Sequence, residues 1–441
     1  MSIKDNRYIS SIYADVMNSS PLHIGCGGEE ILLDKLEDKP YIPATSIAGT
    51  FKSYIASNYG QNTANYIFGI EDNMSKVFVY DAFGDKLATE KRPVIEINGK
   101  TGTTLNKHFH TTSYVASGNK FTLRFDVFDK NKNDCIDDVK LIYECLKAID
   151  DRHIGFGGLR TSGAGQFKIL KVKRIDYDLS NYEGLIDYLK TKDLNLSANF
   201  KDVTNDVKKV ALNDNYVDFE LDCSLKTPLL IKGFGKNEED HPDDENIKDV
   251  NGNYIIPGNS MKGVLRNQCK KIFEYYDKNE LNLKVFGNES SNGSKKIHGR
   301  VYTEDSPITN CADDNIYHRI KIDKFTGGVM KSALMNQKPI LGDTLIKLRF
   351  KTFNDSEENL NYEAVGALCL ALRDIGVGDL PLGSGYNVGR GRLLCKRMNV
   401  KYYNENIRID FINKKVENGE LLDKFISSLK STGEVKAWRL K

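Results

Sequence analysis

The chain is 441 residues long, 40% hydrophobic and 28% charged, and its formal net charge is +2. This length predicts two to three domains, and the composition is typical of a globular protein rather than a disordered or fibrous one. A charge so close to zero excludes a polycationic surface, so a nucleic-acid partner would have to bind at local basic patches.

The sequence also lacks the signatures of secretion, membrane insertion and zinc binding. No apolar run reaches about 18 residues, and residues 1–6 lead into a strand-like segment without the apolar core of a signal peptide. The eight cysteines are dispersed and none forms a Cys-x-x-Cys pair, which argues against a thiolate zinc site. We therefore expect a cytoplasmic protein with reduced thiols and no membrane partner.

The first half of the chain predicts alternating strands and helices. Ile9 and Ile12 indicate an opening strand. An Ile-Pro motif at residues 42–49 then precedes a helix whose apolar stripe contains Ile47 and Phe51. The elements that follow are strands at residues 77–80 and 121–128, a helix at 140–149, a glycine-rich run at 155–165 and a closing strand.

The second half repeats this order after a polar connector, residues 175–214, with one helical stretch at 182–189. A second Ile-Pro motif at residues 256–263 precedes a helix with Met261 and Leu265 at helical spacing. The other elements are strands at residues 217–221 and 345–350, a helix at 362–373, a glycine-rich run at 383–391 and a tail helix at 420–430.

The two halves match position by position. The matched pairs include Pro21 and Pro228, Pro43 and Pro257, Gly69 and Gly287, Asp81 and Asp305, and Gly163 and Gly389. Their separation only increases along the chain, which indicates two collinear copies with insertions in the second. We predict an α+β protein of two tandem ferredoxin-like domains in β-α-β-β-α-β order. The expected boundaries are 1–174 for repeat 1, 175–214 for the connector, 215–399 for repeat 2 and 400–441 for the tail.

Each Ile-Pro motif combines a helix N-terminus with a side chain that could cap it, Ser46 in repeat 1 and Asn259 or Ser260 in repeat 2. Free N–H groups at a helix N-terminus bind phosphate readily, and an ordinary capped helix is the alternative. Recurrence in both repeats, with basic side chains nearby, favours phosphate contact. These basic residues are Lys52 in repeat 1 and Lys262 and Arg266 in repeat 2, where Lys262 stands opposite Ala48.

The glycine-rich runs permit positive φ and close approach of the backbone. Neither run matches a Walker loop or a dinucleotide fingerprint. A loop laid along a phosphodiester backbone is one interpretation, and a tight turn before a strand is the other. The candidate binding residues are Gly389, Arg390, Gly391 and Arg392, and repeat 1 has Ala164 and Gln166 in place of the two arginines.

A third pair of matched segments, residues 95–102 and 320–328, contains a candidate stacking residue. Phe325 in a flexible loop could stack on bases, or it could belong to the core. Basic and polar neighbours complete the candidate binding set, namely Arg319, Lys321, Lys324 and Thr326.

Four segments of repeat 2, in order, resemble the RAMP superfamily: residues 256–266, 285–287, 322–328 and 381–391. More narrowly, the chain resembles the backbone subunits of type III CRISPR effector complexes. The resemblance implies an RNA-recognition-type ferredoxin-like fold. It also implies a CRISPR guide RNA, a target RNA and other type III effector subunits as partners. Family members polymerise along guide RNA, insert a thumb hairpin between its bases and in many cases cut the paired target.

The resemblance further implies an acidic catalytic loop before the second Ile-Pro motif. In the family an Asp six residues before a second Asp carries cleavage, and Asp243 stands six residues before Asp249, so Asp243 or adjacent Asp244 matches. A carboxylate can bind Mg²⁺ or help deprotonate the attacking 2′-hydroxyl, which makes Asp243 the expected ligand of Mg²⁺ or another divalent metal. Without the resemblance, residues 238–244 would be a solvated acidic loop.

Three functions are therefore open. The leading one is a guide-RNA-binding backbone subunit whose repeat 2 acts as an endoribonuclease on target RNA, because repeat 1 has only Gly28 or Glu29 opposite Asp243. The second is a non-catalytic RNA-binding scaffold or capping subunit of the same complex. The third is a guide-processing endonuclease that uses a histidine, for which the candidates are His23, His108 and His110.

Overall fold

The structure of the chain is a computed structural model, and it describes ten segments. They are residues 7–25, 30–85, 88–97, 104–190, 200–213, 215–233, 242–288, 297–312, 315–330 and 334–430. For residues 96, 104–109 and 355 only the backbone is described.

Repeat 1 and the connector contain ten strands and five α-helices within the described segments. They are β1 (Tyr8–Asn18), β2 (Leu33–Asp34), β3 (Lys39–Ile42), α1 (Ala44–Tyr59), α2 (Gln61–Phe68), β4 (Val77–Val79), β5 (Ala82–Phe83), β6 (Thr89–Ile97), β7 (Thr104–Val115), β8 (Lys120–Asp129), α3 (Lys132–Asp150), β9 (Phe167–Asp178), α4 (Tyr182–Lys190), β10 (Lys201–Asp202) and α5 (Thr204–Lys208).

Repeat 2 and the tail follow with elements in a similar order. They are β11 (Tyr216–Leu225), β12 (Asp244–Glu245), β13 (Ile255–Ile256), α6 (Gly258–Tyr275), α7 (Asn279–Phe286), β14 (Val301–Thr303), β15 (Ser306–Ala312), β16 (Tyr317–Arg319), β17 (Met335–Lys338), β18 (Leu341–Lys351), α8 (Glu358–Gly376), β19 (Leu393–Tyr402), β20 (Glu405–Asp410), β21 (Lys415–Glu417) and α9 (Gly419–Lys430).

The main sheet of repeat 1 has the order β10-β9-β1-β8-β4 and is antiparallel throughout. With α1 between β1 and β4, and α3 between β8 and β9, it forms the β-α-β-β-α-β arrangement of a ferredoxin-like fold. Helix α1 turns Ile47, Phe51 and Ile55 into the core. They recur every fourth residue, so they lie on one side of the helix.

The main sheet of repeat 2 has the same arrangement. Its central strands run β18-β11-β19, β14 pairs with β18, and β20 and β21 extend the sheet beyond β19. Along β11, Val217, Phe219 and Leu221 alternate into the core, as the two-residue period of a strand requires. The predicted pair of ferredoxin-like domains is therefore confirmed.

The chain packs into two compact units that are not continuous in sequence. Unit 1 comprises Met1–Lys91, Ser113–Arg160 and Ala164–Asn213. Unit 2 comprises Arg92–Thr112, Thr161–Gly163 and Asp214–Lys441, so it includes two short segments of repeat 1.

The helices extend beyond their predicted bounds. Helix α3 begins at Lys132 instead of residue 140, and α8 covers Glu358–Gly376 instead of 362–373. Their first turns are polar and do not share the apolar period, which is why periodicity underestimates them. No helix within the described segments is long and apolar enough to cross a membrane.

Candidate nucleic-acid interface

The helices that follow the two Ile-Pro motifs begin directly after a proline. Pro43 precedes α1 and Pro257 precedes α6, and neither helix has a side-chain capping hydrogen bond. The expectation that Ser46, Asn259 or Ser260 caps its helix is wrong. The Oδ1 atom of Asn259 instead accepts from the adjacent N–H of Ser260 at 2.8 Å.

An aspartate from elsewhere in each unit takes the place of the missing cap. Asp81 Oδ1 accepts from the Ala44 N–H at 2.6 Å, and Asp305 Oδ1 accepts from the Gly258 N–H at 2.9 Å. A carboxylate is favourable there because a helix N-terminus carries partial positive charge. The protein's own anion therefore occupies part of the site where a phosphate was expected.

Basic side chains about two turns into these helices also have matching partners. Lys52 Nζ donates to the Gly69 carbonyl at 2.7 Å, and Arg266 donates to the Gly287 carbonyl at 3.3 Å. Both glycines end a short helix at positive φ, +74° and +81°. Lys52 and Arg266 therefore have the same structural task, which is to bind the end of the next helix.

Lys262 is a half-buried cation at the start of α6. Its Nζ donates to Thr161 Oγ1 at 2.6 Å, within unit 2. Burial, and secondarily the nearby charge of Arg266, lowers the pKa of Lys262 to about 8. A phosphate would remove this penalty by pairing with the ammonium, so Lys262 stays a candidate contact.

The glycine-rich runs make the same turn in both units. Gly165 has φ +73°, and a Cβ there would lie 1.9 Å from the Phe156 carbonyl oxygen. Gly391 has φ +75°, and a Cβ would lie 1.8 Å from the Leu382 carbonyl oxygen. Only glycine fits such positions. The tight turn is therefore present in both repeats, and Gly389, at +84° with open space around it, lies beside it in unit 2.

The two arginines of this loop differ in setting. Arg392 is exposed, and its guanidinium donates to the Gly378 carbonyl at 2.8 Å. Arg390 is only 9% exposed, and its guanidinium lies 5.5 Å from the centre of the Tyr317 ring. Burial, followed by the like charge of Arg319, lowers the pKa of Arg390.

A buried glutamine joins Arg390 to the acidic loop. Gln337 Oε1 accepts from Arg390 at 2.8 Å and from Arg319 at 3.4 Å. Gln337 Nε2 donates to Asp244 Oδ2 at 2.7 Å. The structure therefore brings together three residues that were predicted from separate motifs, namely Arg319, Arg390 and Asp244.

The two aspartates of the acidic loop have different environments. Asp244 is largely buried and lies 2.9 Å from Lys232 Nζ, in addition to its bond from Gln337. Asp243 is exposed, and its Oδ2 accepts from the Asn336 N–H at 2.7 Å. The described residues contain no group of three or more His, Cys, Asp or Glu that could hold a metal ion. Asp249 accepts from the N–H groups of Asn251 and Asn253 and so forms a turn.

Residues 320–330 form a hairpin that presents an aromatic ring to solvent. Phe325 is 99% exposed, so its assignment to the core is excluded. Asp323 Oδ1 accepts from the Thr326 and Phe325 N–H groups, which shapes the tip and lowers the pKa of Asp323. Lys321, Lys324 and Thr326 are exposed around the ring. The described residues of this hairpin have the stacking and charged groups that single-stranded nucleic acid requires.

Several counterparts in repeat 1 lie outside the described residues. These are Gly28 and Glu29, opposite the acidic loop, and Thr101 and Gly102, opposite the hairpin tip. In the adjoining strand β6, Ile95 and Ile97 are 46% and 62% exposed.

Of the three histidines considered for guide processing, the structure describes the side chains of His23 and His110. His23 Nδ1 lies 2.8 Å from the Ser113 carbonyl, and its ring packs against Tyr114. His110 is exposed on β7, and the side chain of His108 lies outside the described residues.

The sequence pointed to only part of this arrangement. Gln337, Asn336 and Lys232 belong to none of the motifs, so no local signal identified them. Asp81 and Asp305 did have a signal, because they are matched positions of the duplication.

Comparison with known proteins identifies a family for most of the chain. The model of the RAMP superfamily matches residues 19–168 and 222–394. No curated protein matches the sequence. Among solved structures, one chain in the cryo-EM structure of the Type III-B Cmr-beta bound to cognate target RNA matches with 22% identity and a TM-score of 0.32. That match covers 38% of this chain and 61% of the other, and a likeness of this extent transfers neither binding nor assembly.

Proposed function

Because the chain belongs to the RAMP superfamily, we propose that it is an RNA-binding subunit of a type III CRISPR effector complex, and that its unit 2 cuts target RNA paired to the guide. Its partners would be a CRISPR guide RNA, a target RNA and neighbouring subunits of the complex. The four ordered motifs of repeat 2 support this function, because they resemble the backbone subunits of such complexes.

The observation that carries the proposal is the convergence of an acidic loop, a basic loop and an exposed aromatic hairpin in unit 2. Asp244 lies on the same small sheet, β12-β17-β16, as Arg319, and Asp243 directly precedes β12. Arg390 is joined to that sheet through Gln337. Basic groups bind the phosphodiester backbone. Phe325, beyond β16, can stack on a base.

We assign cleavage to Asp243. It is the exposed member of the pair, so its carboxylate can reach an RNA strand and accept a proton from a 2′-hydroxyl. The 2′-oxygen would then attack the adjacent phosphorus and break its bond to the 5′-oxygen of the next nucleotide, which would leave as a hydroxyl after taking a proton from water. The products would be a 2′,3′-cyclic phosphate and a free 5′-hydroxyl, and basic side chains of unit 2 would stabilise the charge that develops on the phosphate. Asp244 is less accessible, since it is paired with Lys232 and Gln337.

The donor set fits a divalent cation only if the cation is shared with RNA. Mg²⁺ is commonly bound by one or two carboxylates together with substrate phosphates. Asp243 could supply one carboxylate oxygen, whereas Asp244 is engaged with Lys232. A cation bound there would help neutralise the phosphate.

The proposal is tested by purifying the full chain with its neighbouring subunits and sequencing the RNA that accompanies them. A short RNA of uniform 5′ end is the expected result, and its absence would overturn the assignment to a guide complex. The same preparation is then given RNA complementary to the guide. Asp243→Ala should abolish cleavage while guide content stays unchanged, and Asp423→Ala, an exposed acid on α9, is the matched control.

A specific observation favours the second candidate, a non-catalytic scaffold or capping subunit. Both aspartates already have structural partners, Asp243 through Asn336 and Asp244 through Lys232 and Gln337. On this hypothesis Asp243→Ala and Asp244→Ala would leave cleavage by the assembled complex unchanged.

A further inference from the structure

We propose that Gln337 is a positioning residue that fixes Asp243 and Asp244, the described end of the acidic loop, relative to the hairpin and the glycine loop. The effect on cleavage rests on the proposed function, but the effect on the geometry of the loop does not. Gln337 belongs to none of the sequence motifs and does not itself need to contact RNA.

The backbone places Gln337 at the centre of the three-stranded sheet β12-β17-β16. On one side β17 pairs in parallel with β12, with Gln337 opposite Asp244. On the other side it pairs antiparallel with β16, with Gln337 opposite Tyr317. The acidic loop and the hairpin therefore attach to the two edges of one short strand.

The side chain of Gln337 adds a third connection, to the glycine loop. It is 4% exposed, and its two polar atoms face opposite charges. Nε2 donates to Asp244 Oδ2, and Oε1 accepts from Arg390 and Arg319. An ionised carboxylate only accepts and a guanidinium only donates, so this environment permits a single orientation of the carboxamide.

The chemistry of the site requires an uncharged group with one donor and one acceptor. A carboxylate at this position would face Asp244 without a hydrogen between them. An apolar side chain would lack the Oε1 atom that accepts from Arg390 at 2.8 Å. Arg390 is itself only 9% exposed, so it would lose this acceptor inside the protein. Removing the hydrogen-bond partner of a buried charged group is costly, because the charged group that remains has already lost its contact with water.

Repeat 1 provides an internal comparison. Leu22 pairs with Val115 and Leu229 pairs with Ile340, so these two bridges are equivalent. Counting three residues back from each bridge, Thr112 stands at the position of Gln337. Ala164 stands at the position of Arg390. At these two matched positions repeat 1 therefore has neither the carboxamide nor the guanidinium that join the loops of unit 2.

The consequence is mechanical coupling within unit 2. RNA bound at the hairpin would restrain the position of β16. Because β17 pairs with both β16 and β12, that restraint would extend to β12 and to Asp243, which precedes it. Because misplacement of a catalytic group by about 1 Å can cost on the order of 100-fold in rate, small changes at Gln337 should appear in cleavage before they appear in RNA affinity.

A double-mutant cycle between Gln337 and Asp244 tests the proposal in the full chain assembled with its guide. Gln337→Glu alone sets two carboxylates against each other and should slow single-turnover cleavage about 100-fold, with guide affinity changed less than about 3-fold. In the Asp244→Asn background, an amide can again donate to the carboxylate at position 337. In that background the same Gln337→Glu change should lower the rate of single-turnover cleavage by less than about 3-fold.

Backbone hydrogen exchange of residues 242–248 is measured in the four proteins of the cycle, which are the unsubstituted chain, Gln337→Glu, Asp244→Asn and the double variant. We expect faster exchange for Gln337→Glu and recovery in the double variant. Equal exchange in all four proteins, or equal costs of Gln337→Glu in both backgrounds, would overturn the proposal. If Asp243→Ala leaves cleavage unchanged, the proposed nuclease function fails, while the exchange data still decide the role of Gln337.

Discussion

In unit 1, Gly165 turns at φ +73° against the carbonyl of Phe156, and in unit 2, Gly391 turns at +75° against the carbonyl of Leu382. The agreement continues at other matched positions. Asp81 and Asp305 each receive the first N–H of a helix. Positions that match across the duplication therefore build the fold, including several that looked like binding residues.

The two repeats differ at the positions whose side chains connect loops in unit 2. Unit 2 has Gln337 and Arg390, and the same positions of repeat 1 have Thr112 and Ala164. Residues that match between the two repeats thus stabilise the fold, whereas residues that differ between them are the better candidates for a functional role.

In both units some side chains of the main sheet are engaged with other side chains. The outer face of the sheet in unit 2 has cross-strand ion pairs such as Arg349 with Asp218 and Lys347 with Glu220. In unit 1, the Tyr13 ring contacts Phe200 edge to face.

The largest expected effect would break the similarity of the glycine turns. Gly391→Ala and Gly165→Ala should each lower the free energy of unfolding by at least about 3 kcal/mol, because a Cβ meets backbone and φ is positive. Chemical denaturation measures this. Gly389→Ala, at positive φ but in open space, should cost only about 1 kcal/mol. Equal losses at Gly389 and Gly391 would contradict the close-approach argument.

The next largest effect is a difference in stability loss between the aspartates at the two helix N-termini. Asp305 also lies 2.7 Å from Arg92 within unit 2 and is largely buried, whereas Asp81 is exposed. Asp305→Ala should therefore cost about 3 kcal/mol, and Asp81→Ala about 1 kcal/mol. Thermal unfolding compares the two, and a larger loss at Asp81 would reverse the comparison.

A smaller loss of stability, equal in the two units, is expected when Lys52 of α1 or Arg266 of α6 is replaced. Lys52→Met and Arg266→Met each remove a charged donor from a glycine carbonyl and should cost about 1.5 kcal/mol. Lys270→Met, which removes an exposed cation of α6, serves as the control and should change stability by less than about 0.5 kcal/mol. If these residues act only through RNA, stability without RNA will stay unchanged.

The smallest effect concerns Lys262, which has no counterpart in repeat 1. Its folded pKa of about 8 lies below the ordinary value of 10.5, so above pH 8 the unfolded chain binds more protons. Stability should therefore rise with pH relative to Lys262→Met, by about 1 kcal/mol between pH 8 and 10 for this partly solvated group. Parallel melting curves of both proteins measure the difference, and a constant difference would mean that the pKa is not lowered.

Much of the fold could be predicted from the sequence. The apolar period of α1 and α6, the alternation of β11 and the matched prolines and glycines predicted two ferredoxin-like domains in the right order. Helix ends were predicted less well, because the polar first turns of α3 and α8 have no apolar period. The capping prediction was wrong, because the carboxylate that receives the helix N–H comes from a residue about 40 positions away.

By itself, the sequence determined which residues exist in two copies, since duplication is a property of order along the chain. Only the tertiary structure decided what each copy contacts. Arg390, Arg319 and Asp244 come from three separate motifs, and Gln337 unites them because β17 runs between β12 and β16. Hydrogen bonds depend on distances across strands rather than along the chain. That is why only the structure shows that Lys52 and Arg266 donate to glycine carbonyl groups, and that a glutamine from outside the motifs lies at the centre of unit 2's candidate site.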